Sequence, residues 1–149
     1  MRLLKRMTGF TILELMITIA IIAVLVGIAL PYYNDYIMRG KLSEAFSNLS
    51  DAQNRMEQYY QDNRSYGPDA ATCGIPPSRL QAAKFFTFTC TPTCTGSSCQ
   101  GYTYTANGIN GMDNFQFTVN EAGTKATLHV APGWTGQGAN CWVTTKGGC

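Results

Sequence analysis

From Phe10 to Tyr33 the only charged residue is Glu14, and from Leu15 to Leu30 every residue is apolar except Thr18 and Gly27. An α-helix rises about 1.5 Å per residue, so a run of this length reaches across a hydrocarbon layer of about 30 Å. The chain is therefore expected to be a membrane protein. At 149 residues it has room for one small folded domain besides the anchor, and two full domains are not expected.

The charges around this run give it a direction. Arg2, Lys5 and Arg6 precede it and none follows it immediately, which places the N-terminus in the cytoplasm and the rest of the chain outside by the positive-inside rule. These three account for much of the formal charge of +2. Without them eight basic residues face nine acidic ones, a side-chain balance of −1. Such a balance gives little support to nucleic acid as a partner.

A secretory signal peptide carries its small-residue cleavage site after the apolar region. Here Gly9-Phe10 lies between the basic leader and the span, so a cut at that point would leave the apolar helix on the mature chain. The run Gly9-Phe10-Thr11-Ile12-Leu13-Glu14 with the span behind it resembles the class III leader of type IV pilins. The resemblance implies cleavage after Gly9 by a prepilin peptidase and methylation of the new amino group on Phe10. It is specific over the first 35 residues.

A carboxylate at the start of an apolar helix is costly in lipid and marks a functional position. Glu14 therefore needs a partner, or a place in the headgroup region where a helix N-terminus favours negative charge. The pilin resemblance implies the first, with Glu14 pairing with the Phe10 amine of a neighbouring subunit during assembly. Pro31 falls inside the helical pattern, where it cannot donate to the carbonyl of Gly27. The helix is expected to be weak between Gly27 and Pro31, as a tolerated kink or, by the resemblance, as a segment that melts on packing into a filament.

Beyond the span, Ile37, Leu42, Ala45, Phe46, Leu49, Ala52, Met56, Tyr59 and Tyr60 recur near the helical period. Lys41, Glu44, Asn48, Asp51, Arg55 and Asp62 are assigned to the opposite face. Turn residues from Asn63 to Pro77 then end the helix. Threonine- and aromatic-rich runs at Phe85–Cys90, Tyr102–Thr105, Phe115–Val119 and Thr127–Val130 predict four antiparallel strands, the last two joined through Asn120-Glu121-Ala122-Gly123.

The six cysteines, Cys73, Cys90, Cys94, Cys99, Cys141 and Cys149, all follow the anchor, and an even number in an exported domain points to disulfides. Connectivity stays open among 15 pairings. The leading pairing is Cys141 with Cys149, which looks like the disulfide-bounded C-terminal region of type IV pilins. Cys73 with Cys90 and Cys94 with Cys99 are weighed next. Reading Cys90, Cys94 and Cys99 as a metal site lacks the paired spacing and fourth ligand that zinc takes, so no metal is expected. His129, the only histidine, is expected to be solvated on the strand face opposite Leu128 and Val130. No phosphate loop, second histidine or acid pair suggests catalysis or a cofactor.

These readings combine into an α+β fold, with a long N-terminal helix on a four-stranded antiparallel sheet and a disulfide-stapled C-terminal loop. The expected segments are a leader (1–9), a transmembrane or filament-core helix (10–33), an amphipathic helix (34–62) and a disulfide-containing β domain (63–149). The resemblance implies a non-enzymatic pilus subunit serving adhesion, twitching motility or DNA uptake. Its partners would be like subunits, prepilin peptidase, the inner-membrane assembly machinery and, before assembly, membrane lipid. The precursor would sit in the inner membrane with its C-terminal domain in the periplasm, and the assembled subunit in an extracellular pilus. A minor pilin of the DNA-uptake receptor kind and a type II secretion pseudopilin are the alternatives.

Overall fold

A computed structural model describes residues 9–96 and 98–149, with the backbone alone at Pro31. The basic leader residues Arg2, Lys5 and Arg6 lie outside the described residues, as does Ser97 in the turn between Cys94 and Cys99. Helix α1 covers Ile12–Asn63, and strands β1 (Phe86–Thr95), β2 (Ser98–Gly108), β3 (Gln116–Asn120) and β4 (Lys125–His129) follow in order. The chain divides into two compact units, one ending at Ile37 and the other running from Met38 to Cys149.

In the first unit the described side chains are exposed with few exceptions, and from Gly9 to Leu30 all of them are. Among the described residues of this unit, nothing buries that part of α1. Its helical state there comes from its own hydrogen bonds and from the leucine, alanine and isoleucine content.

In the second unit α1 is held by its buried stripe. Leu42, Ala45, Leu49, Ala52 and Met56 have no exposed surface, at alternating spacings of three and four. The polar face is narrower than the sequence predicts. Asn48, assigned to water, is buried, and its amide turns back to donate to the Glu44 carbonyl at 3.0 Å. Glu44 is half-buried and accepts the Phe85 N–H at 2.7 Å, tying the helix to the start of the sheet.

The sheet is an antiparallel meander in the order β1-β2-β3-β4. Tyr102, Tyr104, Ala106, Phe117 and Val119 line its inner face with almost no exposure. Phe46 of α1 meets Phe117 edge-on at 5.0 Å and stacks on Trp142 at 5.2 Å. The first hairpin is longer than its aromatic residues alone suggest, because pairing continues through Pro92↔Tyr102 to Thr95↔Ser98. β1 is an edge strand, where a residue without an N–H costs no ladder bond.

β4 departs from the expected alternation. His129 is exposed as expected, but Leu128 is 41% exposed and the inward residue is Thr127. Phe117 pairs with Thr127 and Gln116 with His129, so Leu128 is an extra residue that shifts the register, a β-bulge. The β3–β4 turn closes with Gly123 at φ +72, a value that suits glycine, and the Gly123 N–H donates to the Asn120 carbonyl.

Three disulfides fix the loops: Cys73–Cys90, Cys94–Cys99 and Cys141–Cys149. The first ties the long loop after α1 to β1, and closing a loop of this length contributes about 3 kcal/mol by restricting the unfolded chain. Tyr66 anchors the same loop. Its N–H donates to the Cys99 carbonyl at 2.8 Å, and its hydroxyl donates to the Glu57 carboxylate at 3.0 Å.

Candidate functional site

The segment singled out in the sequence opens α1. Gly9 and Phe10 precede the helix, and Phe10 is 85% exposed. The first helical residue is Ile12, two later than the sequence pattern suggests. Thr11 is the reason. Its hydroxyl accepts the backbone N–H of Glu14 at 3.2 Å, and its carbonyl accepts the N–H of Leu15 at 3.2 Å, which makes it the N-cap.

Thr11-Ile12-Leu13-Glu14 is thus a Thr-x-x-Glu capping sequence, with the acid in the first turn where the helix dipole favours negative charge. Thr11 is part of the leader motif read in the sequence, but no role of its own is assigned to it there. Its signal is local all the same, a hydroxyl residue three positions before a glutamate at the head of an apolar run. The exposed Glu14 has no ion pair among the described residues, although an acid of this kind entering an apolar bundle requires one.

Gly27 and Pro31 both lie within the assigned span of α1, and a side chain at position 27 would meet nothing within 4 Å. Gly27 lies thirteen positions after Glu14, so the expected weak point and the capped start are distinct places along α1.

At the other end of the chain, the Cys141–Cys149 loop is fastened to the sheet. The Thr127 hydroxyl donates to the Cys141 carbonyl at 2.6 Å and accepts the Val143 N–H at 3.0 Å. The Trp142 indole donates to the Thr118 carbonyl at 2.8 Å. Lys125 places its ammonium 4.4 Å from the centre of the Trp142 ring, and Lys41 and Lys84 both approach the Phe85 ring, at 4.6 and 5.4 Å. Lys84 and Lys125 therefore lie against different rings.

Tyr66 of the loop after α1 and Tyr102 and Tyr104 of the sheet are all raised above the usual tyrosine value. Burial and then the hydrogen bond to Glu57 push Tyr66 up to about 12, and burial pushes Tyr104 up to about 12. Tyr102, fully buried, is raised further by burial and the nearby Glu57. Among the described residues no group of histidines, cysteines and acids could hold a metal ion.

Known proteins resemble the chain in two regions. The prokaryotic N-terminal methylation motif matches residues 4–30. The family described as type IV minor pilin ComP, DNA uptake sequence receptor, matches residues 31–127. Fimbrial protein EcpC of Eikenella corrodens is 46% identical over 67 residues, which cover 45% of this chain and 44% of EcpC. The type IV major pilin PilA of Myxococcus xanthus is 31% identical over 95% of this chain and 65% of its own length. The chain thus spans less than two thirds of these relatives. The solved structure of the non-core minor pilin PilV of Neisseria meningitidis shares the fold, with a TM-score of 0.50 at 20% identity over 70% of this chain and 98% of that one. With the methylation motif on its apolar helix and a family match across most of the remainder, the chain belongs to the type IV pilins, in the family described as type IV minor pilin ComP.

Proposed function

We propose that this chain is a filament-forming pilus subunit, cut after Gly9, methylated at Phe10 and assembled through contacts of its apolar helix. The observation that carries the reading is the exposed apolar stretch of α1 with a capped carboxylate at its head. Lipid satisfies that surface before assembly, and neighbouring copies of the helix satisfy it afterwards. Cleavage creates an ammonium at Phe10, four residues before Glu14, and in a staggered bundle the ammonium of one subunit neutralises the Glu14 of the next. Gly27 and Pro31 give the helix a weak point that yields on packing. The precursor lies in the inner membrane with its folded domain in the periplasm, it is a substrate of prepilin peptidase and of the assembly machinery, and the product is an extracellular pilus.

Replacing Glu14 by alanine tests this reading. The account expects normal cleavage and export with filament yield greatly reduced; normal filament yield would count against the pairing role.

The family match favours a second reading, in which the subunit also binds duplex DNA. Lys41 and Lys84 at Phe85 supply two cations on one surface. Binding of this kind weakens steeply with salt, by roughly one power of salt concentration per phosphate contact. Titrating intact filaments with labelled duplex at two salt concentrations decides it, since absence of binding at low salt would remove the reading.

A further inference from the structure

We propose that the outer face of the β1–β2–β3 sheet is a contact surface for a second copy of this chain in a neighbouring filament. From Phe85 to Met112 the sequence has no charged residue, yet β1 exposes alternate side chains along its length, and Thr103, Thr105 and Asn107 of β2 are half-buried beside them. Solvated protein surfaces ordinarily carry a quarter or more of charged side chains. The absence of charge from an exposed sheet face is therefore the anomaly to be explained.

The register sets hydroxyl and amide side chains in rows across the strands. Thr89 pairs with Thr105, beside which Thr118 of β3 is already buried; Thr91 pairs with Thr103 and Thr103 with Asn120. Each row repeats at the strand spacing of about 4.8 Å, and successive rows at about 6.8 Å along the strands. The threonine methyls give this face an apolar component, and the hydroxyls can each donate and accept. Glu121 marks its border, with the carboxylate against Gly101 and accepting the Tyr102 N–H at 3.2 Å. Beyond β3, His129 stands on β4 opposite Gln116.

Such a face is poorly suited to a polyanion, which needs cations. It is well suited to a copy of itself. Charged side chains are the usual device by which exposed strands keep copies apart, and a long, charge-free, β-branched strand at a sheet edge is prone to self-association. Pro92, in the middle of β1, removes a backbone donor and hinders addition of a further strand at that edge. Association is thereby directed to the face.

The ladder covers roughly 300–400 Å² by strand length and spacing, about half of the roughly 800 Å² per partner of a stable interface. One such contact does not hold two subunits together. Repeated along two filaments, it gains from multivalency, and lateral bundles result. This inference rests on the filament-subunit reading above.

The test uses intact filaments carrying Thr91→Glu or Thr91→Lys, with filament yield and bundled fraction read on the same samples by electron microscopy and low-speed sedimentation. Wild-type filaments are expected to bundle. Each variant alone is expected to form filaments at normal yield with the bundled fraction down by roughly tenfold or more, as avidity is lost. A mixture of Thr91→Glu filaments with Thr91→Lys filaments should bundle again at low salt. Bundling of either variant at the wild-type level overturns the contact, and so does dispersal that the mixture fails to reverse, which would point to a different partner. Wild-type filaments that never bundle also overturn it, whereas a wild type without filaments removes the subunit reading itself.

Discussion

The backbone N–H of Glu14 donates to the hydroxyl of Thr11 at 3.2 Å, so the residue expected to pair with a neighbouring amine is held by the cap that starts its own helix. Replacing Thr11 by alanine removes that acceptor. A lost N-cap costs about 1 kcal/mol, so hydrogen exchange at the Glu14 amide in detergent should quicken by roughly fivefold. Thr11→Ser should restore wild-type protection, and equal rates in all three proteins would show that the cap is not formed.

Thr127 serves two backbone partners at once, the Cys141 carbonyl and the Val143 N–H, without any exposed surface of its own. Thr127→Val keeps the shape and strands both groups, at a cost of about 1–3 kcal/mol per buried unsatisfied group. Denaturant unfolding of the disulfide-intact protein, followed by near-ultraviolet circular dichroism of Trp142, should show the lower midpoint with an unchanged slope.

Alkaline pH should destabilise the domain. Tyr66 and Tyr104 titrate at about 12 in the fold against about 10 in an unfolded chain. Above pH 10 the unfolded chain releases these protons first. Stability is thus intact below pH 10 and falls as the pH rises from 10 to 12. Tyr66→Phe should reduce the steepness of that fall, while also losing the bond to Glu57. Thermal melts at pH 8, 10 and 11 would check both effects.

Phe46 is only partly buried, yet it contacts Phe117 on β3 and Trp142 in the C-terminal loop. Removing it should loosen both. Phe46→Ala is expected to cost about 3 kcal/mol, the lower end for a large-to-small aromatic replacement, and to raise proteolysis of the loop from Gly133 to Cys149. An unchanged melting temperature would show that these ring contacts contribute little.

Much of this architecture is legible in the amino-acid sequence. The helix on a four-stranded antiparallel sheet follows from two signals that neighbouring residues alone supply, the apolar spacing from Leu42 to Met56 and the alternation of Phe117 and Val119. The bulge at Leu128 is not legible, because it is decided by Thr127 bonding to Cys141 and Val143, partners 14 and 16 residues away. Asn48 is misplaced by periodicity for a related reason. A polar side chain can be buried when it satisfies part of itself on its own helix, and the spacing of apolar residues does not register that bond. The capping role of Thr11 lies within reach of the sequence, since Thr-x-x-Glu is a local pattern, but in so apolar a run the charge of Glu14 is the stronger signal and masks it.

The most direct test of the filament-subunit reading is intact-mass and N-terminal peptide analysis of filaments sheared from cells. The account predicts a dominant chain beginning at N-methylated Phe10, with the disulfides intact. A chain that retains Met1 in the membrane fraction, with none in sheared filaments, would contradict it.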